Sequence, residues 1–108
     1  MESNYEMIPF MIISKGGDAS SSFLQALNSA RQGKIEEARE LINQGEKSLL
    51  EAHKIQTDLI VAEASGQKNE VGVLMIHAQD HLMNAILLKE IALHLIELYD
   101  RSEAEERA

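Results

Sequence analysis

At 108 residues the chain is one domain's worth of sequence, enough for a modest core but too little for a cleft between two domains. It holds no cysteine, which excludes disulfides, thiolate zinc sites and thiol nucleophiles. A net charge of -8 argues against nucleic acid, whose phosphates need a clustered basic surface.

The first residues carry Glu2 and Glu6 and lack the basic start of a signal peptide. No uninterrupted apolar run reaches the ~18 residues of a membrane span. One proline, six glycines and few aromatic or β-branched clusters favour an all-α protein. A cytoplasmic, single-domain helical chain over residues 1–108 is therefore expected.

Met7, Ile8, Met11 and Ile12 open the first predicted helix, in which Pro9 is tolerable in a first turn and would kink the chain deeper in. Gly16-Gly17-Asp18 either caps a helix over 19–32 or forms a weak point inside one longer helix, at about 1 kcal/mol per glycine relative to alanine. The interrupted single helix is preferred, ending at Gly33, where a C-terminal glycine cap belongs. Phe23, Leu24, Leu27 and Ala30 keep helical spacing in either case.

A second helix is predicted over 34–64, with Ile35, Ala38, Leu41, Ile42, Leu49, Ala52, Ile55, Leu59 and Ile60 on one stripe. Glu36, Glu37, Glu40, Glu46 and Lys47 occupy the opposite face. Gly45 lies at the edge of the stripe, where a small residue lets another helix approach. A turn over 65–69 leads to a third helix starting near Glu70, with Asn69 as N-cap and Glu70 suited to the positive end of the helix dipole.

That third helix is the most apolar part of the chain: 18 of the 28 residues from Val71 to Leu98 are apolar and only four are charged, so it needs cover on more than one side. Leu74, His77, His81, Leu88, Ile91, Leu95 and Leu98 form one stripe; Val71, Met75, Ala78, Leu82, Ala85, Ala92, Ile96 and Tyr99 form a second; Ile76, Asp80, Met83 and Leu87 begin a third. The tail from Asp100 reads as a solvated, fraying helix end. The sum is an antiparallel three-helix bundle too thin to bury its last helix, with subunits expected to pack together through that helix.

His77, Asp80, His81 and Asn84 follow at i, i+3, i+4 and i+7, along one side of the third helix. Three readings fit. Polar residues in a helix interface specify register. His77 and His81 have the i, i+4 spacing of zinc-binding helices, which supports a non-enzymatic metal-binding module, although Ala78 stands where the glutamate of the His-Glu-x-x-His signature would be. Or a neutral imidazole accepts and releases a group while its neighbours fix its tautomer. No Lys or Arg lies between Lys68 and Lys89, so a phosphoryl carrier whose partners bring part of the site fits better than a kinase or phosphatase.

The stretch His77-Ala78-Gln79-Asp80-His81-Leu82-Met83, followed by Leu87-Leu88-Lys89-Glu90 and His94-Leu95-Ile96-Glu97-Leu98-Tyr99, resembles the enzyme IIA component of lactose/cellobiose (chitobiose)-type phosphotransferase systems. So do Gly17-Asp18-Ala19, Glu51-Ala52-His53 with Gln56-Thr57, and Glu63-Ala64-Ser65-Gly66. The resemblance implies a homotrimer in which His77, through Nε2, takes a phosphoryl group from the histidine of HPr. His77 then passes it to a cysteine of the cognate enzyme IIB, serving uptake of a β-disaccharide such as lactose, cellobiose or chitobiose. It also implies that three copies of Asp80 meet on the threefold axis and hold a structural Mg²⁺.

Gln79 points away from His77 on its own helix and is the candidate to contact the phosphoryl group from a neighbouring subunit; His81, one turn from His77, is the candidate supporting partner. With a helix start at Glu70, His77 lies about two turns in, where the dipole contributes little. His53 reads as a hydrogen-bonded core histidine and His94, between Glu90 and Glu97, as a solvated or ion-paired surface residue. Met75, Ile76 and Met83 are candidates for an adaptable partner surface.

Overall fold

Small residues recur at helical spacing on all three predicted helices, so the backbones can approach closely and the core is a set of narrow seams. The computed structural model describes residues 2–107, with side chains over 7–106. Helices α1 (Glu2–Arg31), α2 (Ile35–Ala64) and α3 (Val73–Arg107) run up, down and up in a rod of 60 × 22 × 20 Å. Ala19, Ala26 and Ala30 of α1 meet Ala38 and Ala52 of α2 and Ala78, Ala85 and Ala92 of α3 in the buried core. Phe23, Ile12 and Leu82 are the large side chains sealed within it, each contributing about 1.5–3 kcal/mol by burial. α1 packs along both other helices, whereas α2 and α3 touch each other sparingly and leave open grooves between them.

α1 runs unbroken through Gly16 and Gly17, and also through the buried Pro9. The expected interruption is absent because Gly16 sits against the α3 backbone, with a notional Cβ 3.8 Å from the His81 carbonyl, so packing outweighs the glycine cost. Gly45 is buried at the α1–α2 crossing: a Cβ there would lie 2.5 Å from Phe23 Cε1 and 3.1 Å from the Ala19 carbonyl oxygen.

Both connections open on a left-handed glycine. At Gly33 (φ 85°) the Gly33 N–H donates to the Ala30 carbonyl and Lys34 N–H to Ser29; at Gly66 (φ 98°) Gly66 N–H donates to Glu63 and Gln67 N–H to Ala62. These paired bonds are Schellman caps, which consume carbonyls that a helix end leaves orphaned.

Two boundary expectations are corrected. α3 starts at Val73, and the carbonyl of Gly72 accepts its first helical bond, from Ile76 N–H. Asn69 does not cap it, because its Nδ2 turns back to the Leu59 carbonyl of α2 at 3.5 Å, and Glu70 stays outside the first turn. The tail does not fray at Asp100. α3 continues to Arg107, Asp100 accepts from Arg39 of α2 at 3.0 Å, and Glu103 lies beside Gly33. Among the described residues no helix is long and apolar enough to cross a membrane.

Candidate functional site

With α3 starting at Val73, His77 is one turn inside the helix rather than two, so the amino-terminal partial positive charge lies closer than the sequence suggested. His77 is exposed. One turn on, the half-buried His81 brings its Nε2 to 3.1 Å from Nε2 of His77, the two rings meeting edge to face at 4.4 Å and 76°. Only one proton can lie between these nitrogens while both rings are neutral, so one ring donates and the other presents its lone pair. Among the described residues no third His, Cys, Asp or Glu joins the pair to form a metal-sized group.

Gln79 points to the other flank of α3. Its Oε1 accepts from Gln56 Nε2 at 2.6 Å, and its Nε2 reaches Met75 Sδ at 3.6 Å, so its side chain is held in the groove between α2 and α3. That groove, about 310 Å³, is lined by Leu59, Ile60, Val71, Met75, Ile76 and Gln79 among others. Its lining also includes Asn69, whose Oδ1 is buried and unpaired. Gln56 escapes sequence reasoning because its role depends on a contact between helices 23 residues apart, which helical periodicity does not encode.

At about 100° per residue the bundle-facing side of α3, marked by the buried Ala78, Leu82, Ala85, Ala92 and Ile96, lies opposite a second stripe. Ile76, Met83, Leu87, Ile91 and Leu98 make up that stripe and remain 45 to 61 % exposed, with the exposed Asp80 among them. His77 and Gln79 fall on its two opposite flanks.

The sequence from residue 7 to 100 matches the family model of the PTS system lactose/cellobiose-specific IIA subunit. The chain belongs to the lactose/cellobiose-specific IIA family. It is 46% identical over 101 residues to the lichenan-specific phosphotransferase enzyme IIA component of Bacillus subtilis (strain 168), covering 94% of this chain and 92% of the relative. Its fold is similar to the crystal structure of the PTS cellobiose-specific enzyme IIA from Bacillus anthracis, with a TM-score of 0.90 and 50% identity over 93% of this chain and 92% of the other. It also superposes on the IIA(chitobiose) fold solved as a complex with HPr from the N,N'-diacetylchitobiose branch of the Escherichia coli phosphotransferase system. That match has a TM-score of 0.78 and 35% identity, over 92% of this chain and 96% of the other.

Within this IIA chain the remaining histidines separate cleanly. His53 is exposed on α2, where its carbonyl accepts from Thr57 Oγ1 at 2.9 Å; the expectation of a core histidine is corrected, since Ala52 beside it takes the buried position. His94 is exposed. Met75 is half-buried, whereas Ile76 and Met83 are more than half exposed.

Proposed function

We propose that this IIA chain is a cytoplasmic phosphohistidine carrier that works as a homotrimer, with His77 as the phosphorylated residue. The observation that carries the reading is an exposed imidazole on α3, 3.1 Å from a second imidazole, in a stretch of sequence with no lysine or arginine between Lys68 and Lys89. A carrier needs an accessible nucleophile and a weakly held product, and partner proteins supply the rest. The donor is the phosphorylated histidine of HPr. The lone pair on His77 Nε2 forms the new P–N bond as the P–N bond in HPr breaks, and that electron pair returns to the HPr ring. A cysteine thiolate of enzyme IIB then attacks the same phosphorus, the P–N electron pair returns to Nε2, and His77 leaves as neutral imidazole that has kept its Nδ1 proton. The phosphoryl group serves uptake of a β-disaccharide such as lactose, cellobiose or chitobiose.

His81 acts as the supporting partner. The nucleophilic arrangement places one proton on His81 Nε2 and another on His77 Nδ1, leaving the His77 Nε2 lone pair at the 3.1 Å contact. The His81 ring turns aside during attack, and its N–H then donates to a phosphoryl oxygen. Gln79 contacts the phosphoryl group across a subunit boundary. His77 and Gln79 project about 160° apart around α3, so threefold packing through the stripe between them brings the His77 flank of one subunit to the Gln79 flank of the next.

The stripe of Ile76, Met83, Leu87, Ile91 and Leu98 supports self-association, since an exposed apolar band of this length needs cover. Asp80 fits a hard divalent cation: three carboxylates on one axis repel, and Mg²⁺ accepts oxygen ligands. Bound there, Mg²⁺ supplies charge neutralisation to the assembly. The second reading, a metal-binding module using His77 and His81, has their two close nitrogens in its favour.

The deciding experiment is incubation with phosphoenolpyruvate, enzyme I and HPr. One acid-labile phosphate per chain is expected, lost in His77→Gln. A chain that stays phosphate-free, or a His77→Gln variant that still takes up phosphate, overturns the proposal.

A further inference from the structure

The exposed stripe of α3 has an 11-residue period. Ile76, Leu87 and Leu98 are successive members of one series, Asp80 and Ile91 of a second, and Met83 and His94 of a third. An 11-residue repeat gives 3.67 residues per turn, so a shallow right-handed supercoil keeps such a stripe on one line. His94, exposed in the single chain, therefore lies within the exposed apolar band, between Ile91 and Leu98. This inference rests on the threefold self-association proposed above. Under cyclic symmetry a residue that faces the axis meets its own copies at the same height. Three imidazoles then converge, set about 21 Å along the helix from the three Asp80 carboxylates.

We propose that the three His94 side chains of an assembled trimer form a binding site for a borderline d-block divalent cation, with Zn²⁺ as the natural probe. Three neutral imidazole nitrogens supply three of the four ligands of a tetrahedral ion, leaving one position for water. Nitrogen donors select this class of metal over Mg²⁺, whereas carboxylates at Asp80 select the reverse, so one axis carries two sites of different chemistry. Carboxylates flank His94 on the same helix, at Glu90 one turn before it and at Glu97, which accepts from Arg101 at 3.1 Å, three residues after it, as candidates to accept from the ring N–H that faces away from the ion. Without an ion, three imidazoles enclosed by Ile91 and Leu98 of each copy carry unpaired polar atoms, a cost that ligation removes.

The test uses the full chain carrying His77→Gln and His81→Gln, which removes the flank pair as a competing ligand, with Mg²⁺ in excess. Native mass spectrometry is expected to count one Zn²⁺ per three chains. Adding His94→Gln is expected to abolish that uptake while the trimer persists. A trimer that binds no Zn²⁺, or binds it equally after His94→Gln, overturns the site and leaves the carrier reading standing. Three ions per trimer also overturn it, since they indicate a site within each chain. A chain that is monomeric overturns threefold assembly and the site with it, while phosphate uptake at His77 tests the carrier chemistry separately.

Discussion

Adding one methyl group at Gly45 and, in a separate variant, at Gly17 sets two opposing effects against each other in the same fold. Each position is inside a helix, so each Gly→Ala change gains about 1 kcal/mol in helix propensity. At Gly17 nothing lies within 4 Å of the new Cβ, and the gain stands. At Gly45 the Cβ would sit 2.5 Å from Phe23 Cε1, 2.8 Å from Phe23 Cδ1 and 3.1 Å from the Ala19 carbonyl oxygen. Phe23 is fully buried and cannot swing outward, so α1 and α2 must separate locally. Overpacking of this kind costs about 1–3 kcal/mol, which leaves Gly45→Ala about 1 kcal/mol less stable than the parent. The two variants should therefore differ by about 2 kcal/mol, or roughly 8–16 °C in melting temperature for a chain of this size. Circular dichroism melts at one fixed chain concentration measure this, because assembly makes the midpoint concentration-dependent. A Gly45→Ala protein melting level with Gly17→Ala would refute the close-crossing argument.

Asp80→Leu should keep or strengthen the trimer, because it replaces three repelling carboxylates with apolar groups, and should leave phosphate uptake at His77 intact; dissociation to monomers in sedimentation would contradict the axial placement. Gly33→Ala should cost about 1–2 kcal/mol through the left-handed backbone alone. It should also displace Glu103, whose Oε1 would stand 2.7 Å from the new Cβ, so amide exchange over 100–107 should quicken; unchanged exchange there would show that the tail is not docked on this turn. Lys15 is held above its ordinary pKa of 10.5, first by its hydrogen bond to Glu51 and then by that carboxylate's charge. The pair's contribution is therefore complete below pH 10.5 and lost as pH rises through the raised value, so Lys15→Met should flatten the alkaline fall in urea midpoint; parallel curves would count against it.

The helices themselves were legible because their signals are local: stripes of apolar residues, a Gly-capped stop at Gly33 and a lone small residue at Gly45. What escaped the sequence depended on contacts across the bundle. Asn69 has the chemistry of an N-cap, but the carbonyl of Leu59 claims its amide, and α3 starts three residues after Glu70. Gly16 looked like a break until the α3 backbone beside it was known. The tail looked free because Arg39, which holds Asp100, is 61 residues away. At the candidate site, the pairing of His77 with His81 follows from i, i+4 spacing and was readable. The Gln56–Gln79 bond, between helices of opposite direction, was not.

α3 separates its tasks by angle. Its alanine-rich side is buried against α1, its apolar stripe faces outward on the opposite side, and the candidate chemistry occupies the flanks. This arrangement constrains where a reactive imidazole can stand. On the bundle side His77 would be closed to partners, and on the stripe it would be buried by the other copies of the proposed trimer. A flank keeps it open to a visiting protein while placing it, in the proposed trimer, beside the flank of the next subunit that carries Gln79. The same reasoning distinguishes His94 from His77. The two share a residue type and both are exposed in the single chain, but 17 residues along the helix at about 100° each returns His94 to the stripe. In the proposed trimer, angle around one helix, more than residue type, separates the histidine proposed for transfer from the one proposed for the axis.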